Sequence, residues 1–535
     1  MKTSRLQILL LLLLLTGIAL IRYHLAGLPL ERDEGEYAYM GQLILEGIPP
    51  YSLVYNMKFP GIYVIYAGIM ALFGQTPFGI HIGLLLFNAA TLFLLYLLAR
   101  KLLSPWAGLA TAAAFAVLSL SPSVQGMVSH AEQFVLLPTT GGIILLLAGL
   151  EQQRSRRLLF LSGLCLGIAL MIIQLAVPLL LFGGVWIFLD DLFRGQARIR
   201  ETTPKLLLFG AGAVIPYGIT CLIFYRLGLF DAFWFWTITY ARTYVGQVPL
   251  DAAWHLFRGR AVSILHASTG IWLLAALGLI VLFRKKNRSR APFAVTFLLF
   301  SFFAICPGLY FRPHYFVLMI PAVALCAGSG AEELGRFIER IGGNGILAGT
   351  LAGVVVAGAC ISPFVRQRDL YFRMTPTEVS RAVYSLNPFP ESVEIARYIR
   401  EHSSPDDQIA VLGSEPQICF YSHRHSATGH IYMYPLMENQ PFADRMQQDT
   451  IREIMKAKPR FLVYVAIPAS WLIRPKSSRR IFRWFHNYSD RYYHVDGLVE
   501  LFPGRPSIYL WGTAASTVRP ASRLWIYLLE RNGTS

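Results

Sequence analysis

The stretch Glu31–Gln42, which reads ERDEGEYAYMGQ, directly follows the first apolar run of the chain. It holds four closely spaced carboxylates, at Glu31, Asp33, Glu34 and Glu36, although only 15% of all residues are charged. A membrane protein leaves the bilayer at the end of such a run. A dense group of carboxylates at that place indicates a role in chemistry more than a role in keeping the protein soluble.

The composition predicts a polytopic α-helical membrane protein. Of the 535 residues 55% are hydrophobic, and the mean hydropathy is +0.48. Several apolar runs reach the ~18–20 residues that a helix needs to cross a bilayer. The net charge of +17 does not indicate a nucleic-acid partner, because the basic residues follow a membrane topology. The six cysteines form neither a disulfide framework nor a CxxC metal motif.

About eleven apolar runs predict transmembrane helices. The first has no small-residue cleavage site before the acidic stretch, so we interpret it as a retained span and not as a signal peptide. The predicted spans cover residues 6–22, 78–99, 106–121, 134–150, 158–174, 176–193, 205–227, 264–283, 292–310, 314–330 and 345–363.

The run at 61–74 is too short for a span and predicts a helix on the outer membrane surface. When it is left out, Lys and Arg concentrate on the side of Lys2, where the block Arg284–Arg290 is the densest example. The positive-inside rule then predicts a cytoplasmic N-terminus and an extracytoplasmic C-terminus. Outer loops are predicted at about 23–77, 122–133 and 228–263.

The third outer loop is rich in aromatic residues. Such residues favour the headgroup level of a membrane, so the loop could form an interfacial belt. It could equally form a wall for a lipid or sugar ligand. The residues concerned are Trp234, Phe235, Trp236, Tyr240, Tyr244 and Trp254.

The tail, residues 364–535, is polar and predicts a soluble α/β domain outside the membrane. Glu391–Glu401 has helical spacing of its apolar residues, whereas Gln408–Gly413 and Arg460–Ala466 have the pattern of strands. The tail is long enough to bury its own core. We therefore predict two domains, a transmembrane module at 1–363 and the α/β domain at 364–535.

Three residues of the first outer loop are candidates for chemistry. Asp33 at a shielded membrane surface could act as a base, with Glu34 as a second carboxylate beside it. Alternatively, Asp33 or Glu34 could cap an interfacial helix at 34–46. Lys58, just before the run at 61–74, could bind a phosphate. Alternatively, it could extend along apolar surface toward the interface.

Two further groups lie near the same predicted surface. His130 and Glu132 stand at the head of the fourth span, where an acid could face the cavity of Asp33 or only favour the helix dipole. Arg312, His314 and Tyr315 lie in a short loop between two spans, where ionisable groups are costly and have partners. Arg312 there suits bidentate binding of phosphate or contact with a lipid headgroup.

The sequence contains no dinucleotide fingerprint, Walker loop, zinc-protease motif or GxSxG motif. The tail histidines His423, His425 and His430 have no nearby Cys or acid at metal-ligand spacing. We therefore predict no cofactor, and a divalent metal is possible without being implied.

At these residues the chain resembles the GT-C glycosyltransferases, within them the protein O-mannosyltransferase (family 39) and aminoarabinose-transferase-like group. The resemblance covers roughly residues 1–330. It is carried by RDEGEYAYMGQ at 32–42, MKFPG at 57–61, HAE at 130–132 and RPHY at 312–315. Relatives carry a basic residue near 171–175, where this chain has Gln174, so the donor and acceptor are not specified by the resemblance.

The resemblance implies a GT-C membrane fold and transfer of a sugar from a polyprenyl-phosphate carrier. It implies that Asp33 is the base or orienter for the acceptor hydroxyl. Lys58 and Arg312 would contact the donor phosphate, and Glu132 would line the same cavity. His130, His314 and Tyr315 are candidates for substrate binding.

The chemistry expected is inverting substitution at an anomeric carbon with phosphate as the leaving group. A base and cations suffice for it, because phosphate leaves without a strong acid. The predicted partners are a polyprenyl-phosphate-linked sugar, membrane lipids, and a lipid, glycan or protein acceptor, with no nucleic acid. The predicted location is the cell (inner or plasma) membrane. The alternative is a transporter or flippase, which would need ionisable residues near the bilayer midplane.

Overall fold

The computed structural model describes residues 5–151, 155–195, 198–283, 291–342 and 344–533. Lys2 and the basic block Arg284–Arg290, which contributed to the predicted topology, lie outside the described residues. Within the described ranges the chain is mostly helical, and its strands lie in the tail.

The helices of the first two thirds of the chain follow the apolar runs. Each of the predicted spans coincides with a helix. The helices are α1 Arg5–His24, α2 Arg32–Leu45, α3 Gly61–Phe73, α4 Pro77–Leu102, α5 Pro105–Leu120, α6 Ala131–Glu151, α7 Arg156–Ile172, α8 Val177–Phe193, α9 Ile199–Arg226, α10 Phe230–Trp234, α11 Ala241–Val245, α12 Leu250–Ala267, α13 Thr269–Leu282, α14 Ala291–Ile305, α15 Ile320–Arg340 and α16 Gly345–Arg366. Two further helices, α2 and α12, precede the runs at 61–74 and 264–283.

Seven helices in the described ranges are long and apolar enough to cross a membrane. The number is eight if α12 and α13, which meet at an angle of 101°, form one broken span. The remaining predicted spans are the shorter helices α5, α7 and α14, with 16, 17 and 15 residues. The chain is therefore a multi-pass membrane protein.

The helix α3 is as short as the sequence predicts, with 13 residues. It packs against α2 and α4, and Tyr63 and Tyr66 on its inner face are fully buried. A helix of this length does not reach across a bilayer. It supports α2 from inside the protein.

The segment predicted as the third outer loop is largely helical. It comprises α10, a π-helical turn at Phe235–Tyr240, α11 and α12. Trp236 and Tyr240 are buried within the protein, whereas Trp234 and Trp254 are exposed. The two interpretations of the aromatic residues thus each fit a part of the segment.

The tail contains helices and a mixed five-stranded sheet in the order β1-β2-β5-β3-β4. β1 and β2 are parallel, and the other neighbouring pairs are antiparallel. The two strands predicted from the sequence are β1 and β2. The elements are α17 Arg368–Phe372, α18 Pro376–Tyr384, α19 Phe389–Glu401, β1 Ile409–Leu412, α20 Gln417–Ser422, α21 Tyr434–Met437, α22 Ala443–Ala457, β2 Phe461–Ala466, α23 Pro468–Trp471, α24 Arg480–Tyr492, β3 Tyr493–Phe502, β4 Arg505–Trp511, α25 Thr513–Ser516 and β5 Leu524–Arg531.

The tail packs on the N-terminal end of α2. Arg32 forms an ion pair of 2.7 Å with the fully buried Glu415, and the amide of Leu30 donates a hydrogen bond of 2.8 Å to Tyr421. A buried ion pair mainly fixes geometry, because desolvation offsets much of its attraction. These contacts hold the tail over the acidic stretch.

Gly35 marks the closest approach between α2 and the tail. A Cβ atom at this position would lie 2.7 Å from the backbone nitrogen of Gln417, at the start of α20. That separation is shorter than a van der Waals contact, so the two helices meet here backbone to backbone. The glycine of the acidic stretch is therefore required by packing.

Candidate active site

A cavity of about 320 Å³ lies between the acidic stretch, the loop before α3, the head of α6 and the tail. Its walls carry carboxylates, cations, histidines and tyrosines. Seven of the eight site residues predicted from the sequence line it, namely Asp33, Lys58, His130, Glu132, Arg312, His314 and Tyr315. The predicted residues therefore meet in one space, as the resemblance implies.

The first turn of α2 presents Asp33 to this cavity. Glu31 is the N-cap, and its side chain accepts a hydrogen bond from the amide of Glu34, while the Glu34 carboxylate accepts one from the amide of Glu31. This reciprocal capping box satisfies the free amides at the helix start. Because Glu31 is the cap, the side chain of Asp33 stays available for the cavity.

Asp33 is bonded through one of its two oxygens. Its Oδ1 accepts hydrogen bonds from Lys58 Nζ at 2.8 Å and from the hydroxyl of Tyr432 at 2.6 Å. Its Oδ2 lies 3.8 Å from His130 Nδ1, which is beyond hydrogen-bond distance. The Asp33 side chain is 23% exposed. One oxygen is therefore fixed, and the other is open to a ligand.

The charges around Asp33 determine its protonation. Burial alone raises the pKa of Asp33, but the charge of Lys58 outweighs it and holds that pKa well below its usual value. Burial lowers the pKa of Lys58, and the carboxylates of Asp33 and Glu36 raise it above its usual value. Both groups are therefore charged at neutral pH.

Glu36 is a further carboxylate of this network. It accepts hydrogen bonds from Lys58 Nζ at 2.9 Å and from the hydroxyl of Tyr63 at 2.7 Å. Lys58 thus bridges two carboxylates. The amide of Gln174 donates a bond of 2.6 Å to the carbonyl of Met57, so this residue fixes the loop that carries Lys58.

His130 and His314 stack face to face, with ring centroids 4.1 Å apart. His314 Nδ1 lies 3.0 Å from the side-chain oxygen of Gln125, whereas neither ring nitrogen of His130 has a hydrogen-bond partner. Burial lowers the pKa of His130. A neutral ring with free nitrogens can bind a substrate hydroxyl.

Asp33, His130 and His314 also place one ligand atom each within 4.8 Å of one another. Two imidazoles and a carboxylate are a ligand set that suits zinc or iron. The unpartnered nitrogens of His130 fit such a group. Glu132 is buried at the head of α6 and lines the same cavity.

Two further cations of the cavity have uncharged neighbours. Arg312 lies over the ring of Tyr310, 5.5 Å from its centroid, and Tyr310 stacks on Tyr244. Arg474 of the tail lies 3.4 Å from the hydroxyl of Tyr310. In the described part of the chain neither arginine forms an ion pair with a carboxylate. Both therefore remain available to an anion.

Glu34, predicted as a second catalytic carboxylate beside Asp33, lies away from the cavity. Its carboxylate is fully buried, does not line the cavity, and lies 2.9 Å from His81 Nε2. It also accepts a hydrogen bond of 2.6 Å from the amide of Ser129. Glu34 joins the starts of α2 and α4 to the loop before α6, which is a structural role.

Sequence reasoning did not find Tyr432 or Arg474 as cavity residues, nor Glu36 as the second carboxylate bonded to Lys58. Tyr432 is 399 residues from Asp33 in the chain, so no local pattern could connect them. Glu36 belongs to the acidic stretch, and its spacing of three residues from Asp33 along α2 could have indicated a shared face. The tail histidines His425 and His430 lie at separate contacts, the first on Glu46 and the second against Tyr55.

Known proteins resemble the chain in both sequence and fold. Residues 58–219 match the family described as dolichyl-phosphate-mannose-protein mannosyltransferase. The search of curated proteins finds no match. Among solved structures, ArnT from Cupriavidus metallidurans bound to undecaprenyl phosphate is similar with a TM-score of 0.57. That similarity covers 97% of each chain at 15% identity.

An oligosaccharyltransferase provides a second comparison. The apo enzyme from Archaeoglobus fulgidus has a TM-score of 0.51 over 94% of this chain and 74% of its own, at 11% identity. The AglB enzyme of the same organism, in complex with an inhibitory peptide and a dolichol-phosphate, has a TM-score of 0.50 at 10% identity. This match covers 97% of this chain and 76% of that one.

The chain therefore has the GT-C fold, a multi-pass helical body with a tail that carries a small sheet. Within this class the resemblance to the protein O-mannosyltransferase and aminoarabinose-transferase-like group is confirmed. The matched family segment begins at Lys58 and ends within α9, so it includes the loop before α3 and the head of α6.

Proposed function

We propose that the protein is a membrane glycosyltransferase that moves a sugar from a polyprenyl-phosphate donor to an acceptor hydroxyl. The observation that supports this most is the asymmetric environment of Asp33. One oxygen is fixed by Lys58 and Tyr432, the other faces the cavity, and the unpaired Arg312 lines the same space. A base and an anion-binding cation are the two groups that this transfer needs.

The ligands of similar structures support the donor class. ArnT from Cupriavidus metallidurans was solved with undecaprenyl phosphate, and AglB from Archaeoglobus fulgidus with a dolichol-phosphate. Both ligands are polyprenyl phosphates. A donor of this kind would keep its lipid in the membrane and place its phosphate beside the cations of the cavity.

In the proposed reaction the acceptor hydroxyl approaches the free Oδ2 of Asp33. The carboxylate accepts the hydroxyl proton as the oxygen attacks the anomeric carbon from the face opposite to the phosphate. The bond from that carbon to the phosphate oxygen breaks, and the phosphate keeps the electron pair. The configuration at the carbon is inverted.

The low pKa of Asp33 bears on its role as base. A strongly stabilised carboxylate orients a hydroxyl well but takes a proton weakly. A donor phosphate that draws Lys58 away would remove part of that stabilisation and make Asp33 more basic. Arg312 would bind the phosphate through its unpaired guanidinium. Glu132, His130, His314 and Tyr315 would line the sugar and acceptor positions.

We propose the same topology as the charge pattern, with the N-terminus in the cytoplasm and a tail domain, 364–535, outside. The membrane module would then end at residue 363. A reporter that is active only outside the cytoplasm, fused after the tail, should be active in intact cells. Its activity after fusion to the N-terminus instead would contradict this topology.

The experiment for the function compares wild type with Asp33→Asn in membrane vesicles that contain radiolabelled polyprenyl-phosphate sugars. We expect transfer to fall by about a thousandfold or more, because the amide cannot accept the proton. The control is Asp251→Asn, an exposed carboxylate on α12, which should keep full activity. Wild-type turnover in Asp33→Asn, or movement of the sugar lipid without its consumption, would reject the proposal.

A further inference from the structure

A second, open groove adjoins the cavity where the tail meets the end of α11. It has a volume of about 480 Å³. One wall is Thr243, Gly246 and Gln247, and the other is formed by residues 439–441 and 474–476 of the tail. Arg474 borders both the groove and the cavity that contains Asp33. The groove and the cavity therefore share this arginine as a common boundary.

The groove is cationic. Its lining includes Arg474 and Lys476 and no acidic residue. In the described ranges neither cation forms an ion pair with a carboxylate. Glu438, the nearest acid in sequence, instead accepts hydrogen bonds from Tyr240 at 2.6 Å and from Gln247 at 3.1 Å, and it lines the inner cavity. The two positive charges are therefore free to bind an anion.

The remaining groups of the groove suit hydroxyls. The side-chain oxygen of Gln247 is buried and has no hydrogen-bond partner, although its nitrogen donates to Glu438. A buried polar atom without a partner costs free energy unless a ligand or water satisfies it. Asn439 is exposed at the groove, and Thr243 contributes a hydroxyl. Amides and hydroxyls of this kind bind sugar hydroxyls in both directions.

Arg474 itself has spare hydrogen-bonding capacity. The contact of its guanidinium with the hydroxyl of Tyr310 is long, at 3.4 Å. A guanidinium has five N–H donors in a planar fork that matches phosphate and carboxylate. Most of these donors are thus open toward the groove or the cavity.

From these observations we propose that the groove binds an anionic saccharide, the part of the acceptor that lies beyond its reacting hydroxyl. Arg474 and Lys476 would bind its phosphate or carboxylate, and Gln247 and Asn439 its hydroxyls. The proposal rests on the proposed function, because it identifies the ligand as an acceptor. It gives the tail a share in substrate selection.

The test measures binding of glucose 6-phosphate and of glucose to the full-length protein in detergent, by saturation-transfer NMR titration. We expect glucose 6-phosphate to bind about tenfold more tightly than glucose, because charge-assisted hydrogen bonds add to the hydroxyl contacts. The double variant Arg474→Gln, Lys476→Gln should lose this preference. Arg479→Gln is the matched control, since Arg479 is exposed and outside the groove.

Further variants separate the possible outcomes. Equal binding of both sugars, or a preference that survives the double substitution, would overturn the proposal. Loss of the preference in Arg312→Gln, and not in the double variant, would show that the anion binds in the inner cavity, and this result would also overturn the proposal. Inorganic phosphate should compete more weakly than glucose 6-phosphate, and equal competition would show that an anion alone is recognised. Asp33→Asn should bind glucose 6-phosphate as wild type does. Failure of the proposed catalytic function can therefore be distinguished from failure of the groove proposal.

Discussion

At the scale of single residues, the two oxygens of Asp33 have different surroundings. The tail and the membrane module share control of Oδ1 through Tyr432 and Lys58, while Oδ2 is open. A carboxylate held in this way presents one lone-pair direction to a substrate. The tail therefore contributes to the orientation of the candidate base as well as covering it.

Tyr432→Phe tests this orientation. Loss of the hydroxyl removes a hydrogen bond to the charged carboxylate, so the pKa of Asp33 should rise. Because a carboxyl group with a raised pKa loses its charge at higher pH, the acid limb of kcat/KM should move to higher pH. We expect kcat to fall about tenfold with little change in the donor KM.

The control for this prediction is Tyr421→Phe, which removes a hydroxyl from the same interface outside the cavity. It should leave the pH profile in place. Steady-state kinetics between about pH 4 and pH 8 measure both variants. An unchanged acid limb in Tyr432→Phe would remove the positioning role.

The sequence located residues of the cavity where partners lie close along the chain or in a family motif. Asp33 and Lys58 are 25 residues apart and were both found. Tyr432 and Arg474 were missed, because their relation to the cavity depends on how the tail folds back over α2. Glu34 was expected beside Asp33 in the site and lies outside the cavity, because sequence does not show which carboxylates of one turn face it.

At the scale of elements, the start of α2 joins three parts of the membrane module. Glu34 completes the capping box and accepts hydrogen bonds from His81 of α4 and from the loop before α6. The Glu34 carboxylate is fully buried, so these hydrogen-bond donors are needed to offset the cost of removing its charge from water. The position of Asp33 follows from this junction.

Glu34→Ala should therefore destabilise the protein without direct chemical effect. It leaves His81 and the amide of Ser129 unsatisfied in a buried place, which costs roughly 1–3 kcal/mol for each group. We expect a lower melting temperature in detergent, and the pH dependence of the remaining activity should be unchanged. A stable protein without activity would instead return Glu34 to the catalytic residues.

The helices of the membrane module were predictable because apolar length is a strong signal. Each of the predicted runs is a helix, and the short run at α3 is a helix of the predicted length. The segment before α12 was predicted as a loop although it is helical. Its π-helical turn and its dense aromatic residues disguise the usual periodicity.

At the scale of the whole molecule, the cavity is a joint product of the two predicted domains. The membrane module supplies Asp33, Lys58 and Arg312, and the tail supplies Tyr432 and Arg474. Of the five strands of the sheet only β1 and β2 were predicted, and β3 to β5 were not. β3 and β4 form a hairpin, for which Pro503-Gly504 is a local turn signal, whereas the pairings of β5 with β2 and β3 are long-range and have no local sequence signature.

The backbone contact at Gly35 has a consequence for this shared architecture. A single methyl group there would push α2 and α20 apart, since the nitrogen of Gln417 already occupies the space that the methyl group needs. The gap it opened would separate the phenol of the tail from the carboxylate of the membrane module, although each half could keep its own core. The alignment of Tyr432 with Asp33 therefore cannot accommodate even one additional carbon atom at Gly35.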